Sequence, residues 1–168
     1  MNAEELRAAQ APLKQRYRDD PASACIPAQA EARLEGDDIA VTVPAWHGET
    51  VAGLHPAAGG SGALACSGDM LLQALVACAG VTLRAVATAM GITLRGGRIV
   101  AEGMWDARGT LAIDRSAPVG VTDITLSFEL DTDADPAKLE RLLASTERYC
   151  VIFQTLRNPP RLSVRRGP

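Results

Sequence analysis

The sequence predicts an α+β protein in which antiparallel strands are wrapped around one long, buried helix. Three observations carry that expectation. Residues 69–90 are apolar on nearly every face at helical spacing. Period-two alternation recurs on either side, at 29–43 and 124–130. The elements follow one another as helix, hairpin, long helix, strands, helix, strand, not as a parallel βαβ repeat. The 168 residues fit a single domain, 1–168, that buries roughly two-thirds of its unfolded surface, with 1–28 as an N-terminal helix and arm.

Residues 2–18 read as a polar helix with Leu6, Leu13 and Tyr17 as sparse apolar contacts and Pro12 interrupting the pattern. From Gln29 to Val43, Ala30, Ala32 and Leu34 and then Ile39, Val41 and Val43 alternate around Glu35-Gly36-Asp37-Asp38, which is a hairpin pattern. Residues 44–67, rich in Gly, Pro and small side chains, read as a long loop, with His55 as a turn residue before Pro56 and Cys66 near its end. The helix from Asp69 to Met90 is entered through Ser67 as N-cap, carries Asp69 in its first turn and is closed by Gly91. One of its stripes holds Leu71, Leu75, Cys78 and Thr82; another holds Leu72, Val76, Ala79, Leu83, Val86 and Met90.

Strand-like runs follow near 93–105 and 109–113, then the alternation Ile124, Leu126, Phe128 and Leu130. Asp135 as N-cap and Pro136 at the first helical position start another helix, whose Leu139, Leu142 and Leu143 spacing runs on to Cys150. Residues 151–157 read as a short helical turn and Arg161–Val164 as a last strand.

Composition narrows the function. Hydrophobic residues make up 47%, charged 22% and aromatic 4%, so Ala, Val and Leu build an ordinary globular core. A formal charge of -3 gives no basic footprint for nucleic acid. The cluster Arg161, Arg165 and Arg166 reads as a solvated tail. No charge-free run of about 18 apolar residues occurs, and the start, with Glu4 and Glu5, lacks a signal core. The expectation is therefore a cytoplasmic protein without membrane or nucleic-acid partners.

Cys25, Cys66, Cys78 and Cys150 include no CxxC pair, so they are expected as thiols, with no metal. Cys78 sits among small residues on the apolar helix, where a thiol is either a small hydrophobe or a nucleophile with room beside it. Cys150 follows Glu147, Arg148 and Tyr149; an adjacent Arg favours thiolate, and the same residues also fit the solvated side of an amphipathic helix. Phosphate-cradling glycine motifs, GxSxG and HExxH are absent.

The run Cys66-Ser67-Gly68-Asp69-Met70-Leu71-Leu72-Gln73-Ala74-Leu75-Val76-Ala77-Cys78, an acid opening a helix and then leucines and alanines before a cysteine, is joined by a second cysteine on a later helix. Together they resemble the OsmC/organic hydroperoxide resistance (Ohr) family of thiol peroxidases, over about residues 29–165. The resemblance implies a peroxidatic Cys78, a resolving Cys150, and a homodimer whose intertwined sheets enclose two helices. It also implies an organic hydroperoxide substrate, a dithiol reductant such as a lipoyl group, and no cofactor.

The family draws an Arg from an early strand to support the thiolate. Arg33 stands in a comparable strand, with Arg16 and Arg18 as competitors. The peroxidases' Glu ten positions before the reactive cysteine is Gly68 here; Asp69, one place later, is the candidate acid or a first-turn carboxylate favoured by the helix dipole. Val151 replaces the proline that often follows the second cysteine, and Cys66 is a third redox partner or a loop residue. Two other functions remain open: a non-catalytic relative binding a small hydrophobic ligand in a dimer cleft, and a stress-related structural dimer.

Overall fold

The computed structural model describes residues 1–45 and 48–167. The chain forms two compact units, one of residues 1–10, 74–99 and 127–168, the other of residues 11–73 and 100–126.

The N-terminal helix, α1, runs Ala3–Asp19. Asn2 Oδ1 accepts from the Glu4 and Glu5 amides at 2.9 Å each, while Glu5 Oε2 accepts from the Asn2 amide, a reciprocal cap on donors that have no partner inside the helix. Pro12 lies inside α1 without ending it, contrary to the expected interruption, and none of the helix is buried.

In the second unit, β1 (Ala40–Ala45) and β2 (Gly48–Gly53) pair antiparallel, Ala40 opposite Gly53 and Val43 opposite Thr50. The hairpin therefore lies one strand later than the alternation at 29–43 predicts. The segment expected as its first strand keeps one bridge, Arg33 to Thr42, with reciprocal amide bonds of 2.8 and 3.0 Å. Ala30 and Ala32 offer little apolar area to bury, and β2 takes the length of β1 instead.

The stretch read as a long loop thus holds β2, a 3-10 turn at Pro56–Ala58 and β3 (Ala65–Cys66), which pairs parallel to β2; its residues 46 and 47 lie outside the described residues. His55 caps the 3-10 turn, its Nδ1 accepting from the Ala57 amide at 3.0 Å, and its ring meets Trp105 edge-on at 5.3 Å. The run at 109–113, read as a strand, is a short helix, α3 (Ala107–Thr110), with a turn after it; Asp106 accepts from the Arg108 amide at 2.9 Å and caps it.

The long helix α2 spans Ser67–Met90, so Ser67 is its first residue, not its cap. Its end is as the sequence predicts. Gly91 takes φ 66°, its amide donates to Thr88 O at 3.2 Å, and the Ile92 amide reaches Ala87 O at 2.9 Å. A left-handed glycine satisfies the last carbonyls while Ile92 folds onto Ala87 in the core.

Strands β4 (Leu94–Met104) and β5 (Thr122–Thr132) form a two-stranded sheet. Thr132 reaches Thr93, Arg98 reaches Glu129 and Thr122 reaches Met104, which makes the pair antiparallel. Helix α4 (Pro136–Tyr149) begins as read, with Asp135 accepting from the Lys138 amide at 2.9 Å and Pro136 in its first turn. Helix α5 (Val151–Arg157) follows at once.

In the first unit the core gathers Leu83, Ala87, Ile92 and Leu142, with Val86, Ile99, Phe128 and Leu130 packed against them. Only one stripe of α2 is buried: Leu75, Ala79, Leu83 and Ala87, each four residues after the last. Val81 is 73% exposed. The expectation of a helix enclosed on every side is not met within one chain, because a two-stranded sheet and α4 offer cover for one face. By length and composition alone α2 could also cross a membrane. Residues 161–164, read as a last strand, form no strand and pair with none among the described residues, and Val164 is fully exposed.

Candidate functional site

Cys150 is the one residue between α4 and α5. Its extended backbone, φ -73° and ψ 110°, breaks the helical path while both of its peptide groups stay bonded: its amide donates to Thr146 O at 2.9 Å, and its carbonyl accepts from the Gln154 amide at 2.9 Å. The break starts a new helix, whose first amides have no carbonyl four residues earlier to bond. Those of Val151, Ile152 and Phe153 are thereby released toward the sulfurs. Below the break Leu142 and Thr146 are buried, Thr146 Oγ1 donating back to Leu142 O at 2.8 Å. Cys150 itself is 0% exposed.

Cys78, half-buried on α2, faces this junction. Burial pushes its thiol up, but hydrogen bonds from the Ile152 amide, the Cys150 thiol, the Val151 amide and the Thr82 hydroxyl together outweigh burial and hold Cys78 below the usual thiol range. Cys150 goes the other way. Burial raises it, and the neighbouring Cys78 raises it further, against help from the Phe153 and Ile152 amides. The pair is thus polarised, with Cys78 moved below the usual thiol range and Cys150 above it, each in part by the other. Both sulfurs are free thiols.

Of the four residues singled out from sequence, the structure brings Cys78 and Cys150 together in one unit. Asp69 and Arg33 belong to the other unit. Asp69 is exposed in the first turn of α2. Arg33 is hydrogen-bonded to Glu49 and lies 3.3 Å from Glu35, so its charge is met by local carboxylates. Cys66, half-buried, is the last residue of β3, and Cys25 is exposed. No group of three or more metal-ligating side chains gathers among the described residues.

Sequence reasoning missed the backbone amides of Val151 and Ile152, which no residue type announces. Thr82 was visible as a stripe-mate of Cys78, one turn along the helix, but its hydroxyl's role was not.

A family model described as OsmC-like protein matches residues 60–165, a span that takes in α2, Cys78, Cys150 and the segment beyond α5. The chain belongs to the OsmC-like family. No curated protein matches it. Among solved structures, this OsmC-like protein is similar to an OsmC-like protein from Mycoplasma pneumoniae, with a TM-score of 0.65 at 16% identity over 80% of this chain and 91% of that one. An organic hydroperoxide resistance protein OsmC from Legionella pneumophila gives 0.58 at 15% identity over 79% and 92%. The organic hydroperoxide resistance protein OhrB of Bacillus subtilis gives 0.52 at 19% identity over 79% and 93%. At these identities the likeness speaks for the α+β fold alone.

Proposed function

We propose that this OsmC-like protein is a two-cysteine thiol peroxidase that reduces organic hydroperoxides in oxidative-stress defence. The observation that carries the reading is the polarised pair, a Cys78 thiol held low beside a Cys150 thiol held high. The Cys78 thiolate attacks the outer oxygen of ROOH and the O–O bond breaks. Cys78 becomes a sulfenic acid, and RO⁻ leaves as the alcohol after taking a proton. Loss of the negative charge at Cys78 removes one of the causes that keep Cys150 protonated. Cys150 then attacks the sulfenic sulfur, a disulfide forms and water departs.

A dithiol of lipoyl type reopens the disulfide by exchange, supplying two electrons. Attack by that dithiol falls on Cys150, because Cys78 is the better leaving thiolate. The protein acts in the cytoplasm, where thiols stay reduced, and as a homodimer, in which a second copy covers the open face of α2. Arg33 and Asp69 are assigned supporting roles by family resemblance, with Arg33 having to leave Glu49 to act.

Stopped-flow mixing of reduced protein with cumene hydroperoxide tests the reading. Oxidation far faster than that of free cysteine, abolished in Cys78→Ser, is the expected result; a wild-type rate no faster than free cysteine overturns it.

Gly68, standing where the peroxidases carry Glu, favours a second reading, a binding protein for a small hydrophobic molecule. A groove of about 290 Å³ lined by Val76, Val81, Leu94, Ile99 and Leu130 gives it a place. Native mass spectrometry that finds a retained ligand, with thiols unmodified after peroxide, supports binding over chemistry.

A further inference from the structure

We infer that the groove between α2 and β4 takes an apolar carboxylate, a compact hydrocarbon body whose anionic head is held by Arg84. The inference rests on the binding reading above and deepens it by naming the class of ligand. It does not involve the thiols, since neither Cys78 nor Cys150 lines the groove.

Val76, Gly80 and Arg84 line the groove from α2, four residues apart and therefore on one stripe of the helix; Leu94, Gly96 and Ile99 line it from β4. At the helical rise that stripe is about 12 Å long. Its walls are apolar up to Arg84, the one charged group in the lining among the described residues. A volume of about 290 Å³ lies at the small end of ligand sites.

Two glycines open the space. Along β4 exposed residues alternate with half-buried ones until Gly97 and Arg98, both exposed, where the alternation slips by one. Gly97 absorbs that irregularity: its φ is 150°, and a Cβ on it would lie 2.5 Å from Glu129 O. Gly96 is under neither constraint, because its φ is not positive and a Cβ on it would meet nothing within 4 Å. Across the groove a Cβ on Gly80 would lie 3.4 Å from Ile99 Cδ1 and narrow the space. Glycine weakens the interior of a strand or a helix, and inside a strand it marks a bulge or a close approach by backbone or ligand. Gly97 accounts for the bulge, and Gly96 leaves room.

An apolar groove alone would accept any small hydrophobic molecule, and Arg84 makes the choice. Arg95 and Arg98 on β4 meet Asp131, Asp133 and Glu129, whereas Arg84 meets no carboxylate among the described residues. It is exposed, so a ligand breaks no ion pair to reach it. A guanidinium presents a planar fork of donors that matches a carboxylate and keeps its charge throughout the physiological range. A hydrocarbon tail laid toward Val76 with a carboxylate at Arg84 satisfies both ends of the groove. A neutral alcohol satisfies one, and an ammonium sets like charge against the arginine.

Titration of the full-length, reduced, isotope-labelled protein with octanoate, read from backbone amide chemical shifts, tests this without peroxide. Saturable shifts are expected at the Gly80 and Gly96 amides, with 1-octanol bound about tenfold more weakly, the scale of one charge-assisted hydrogen bond. Octylammonium should bind more weakly still. Arg84→Gln should weaken octanoate by about tenfold and leave 1-octanol within about twofold. Gly96→Val fills the groove and should abolish the binding of both; if that variant fails to fold, Arg84→Gln still decides.

If 1-octanol binds wild type as tightly as octanoate, or if Arg84→Gln leaves octanoate affinity unchanged, the carboxylate assignment is overturned and a groove for neutral hydrophobic molecules remains. Octanoate shifts that do not saturate, or that lie away from Gly80 and Gly96, overturn the site itself. The binding reading fails separately, on the absence of a retained ligand in native mass spectrometry.

Discussion

Cys150 serves three purposes at one position. Its backbone ends α4 and begins α5, its burial keeps its thiol protonated, and that thiol donates to Cys78. The signs of the two shifts can be tested from either side. In Cys150→Ala the donor is gone, so the Cys78 midpoint read by alkylation should rise, and after peroxide treatment a sulfenic acid should persist and be trapped by dimedone. A Cys78 midpoint that stays put would remove Cys150 from the ionisation of its neighbour. Linkage runs in opposite senses for the two thiols. The low Cys78 value adds folding stability that is full above the unfolded thiol pKa and is lost as pH falls through the folded value. The high Cys150 value adds stability that is full below the unfolded pKa and is lost as pH rises through the folded one.

At the scale of elements, α4 holds the junction. Leu142 is completely buried, two turns before Cys150, in the cluster with Leu83, Ala87 and Ile92. Leu142→Ala should cost about 2–5 kcal/mol in urea unfolding; a loss below about 1 kcal/mol would show that α4 is not anchored there. Helix ends were the most legible part of the sequence, because Asp135-Pro136 and Gly91 act through local backbone chemistry that neighbours do not alter. Strands were less so. The alternation at 29–34 is as regular as that at 39–43, yet Arg33 alone pairs, since a strand exists only where a partner edge is won. The same reason leaves 161–164 without a ladder, although the residue pattern suits one.

For the whole molecule, the open face of α2 poses the largest question. Val81 and Leu71 are exposed on a helix whose composition belongs in an interior. Arg84 on that helix makes lipid an expensive cover, which favours protein. A second copy is the occupant implied by family resemblance, and obligate interfaces of this kind bury more than about 2,000 Å². Mass photometry at nanomolar protein should find twice 17.6 kDa, and Val81→Glu should shift the population to single chains. A folded 17.6 kDa wild-type species that keeps its thiol reactivity would refute the dimer.

The sequence by itself determined the α+β class, the C-terminal end of α2, the extents of α4 and α5, and the two cysteines to watch. Each is written in short-range spacing: apolar period, cap residues, and a motif within one helix. Tertiary structure alone decided that Cys78 meets the first amides of α5, that the two thiols are driven apart in acidity, and that β2 displaces the expected first strand. Those facts depend on which backbone groups are left without partners once the chain has packed. Periodicity says which side chains are apolar but not which amide a distant sulfur will find.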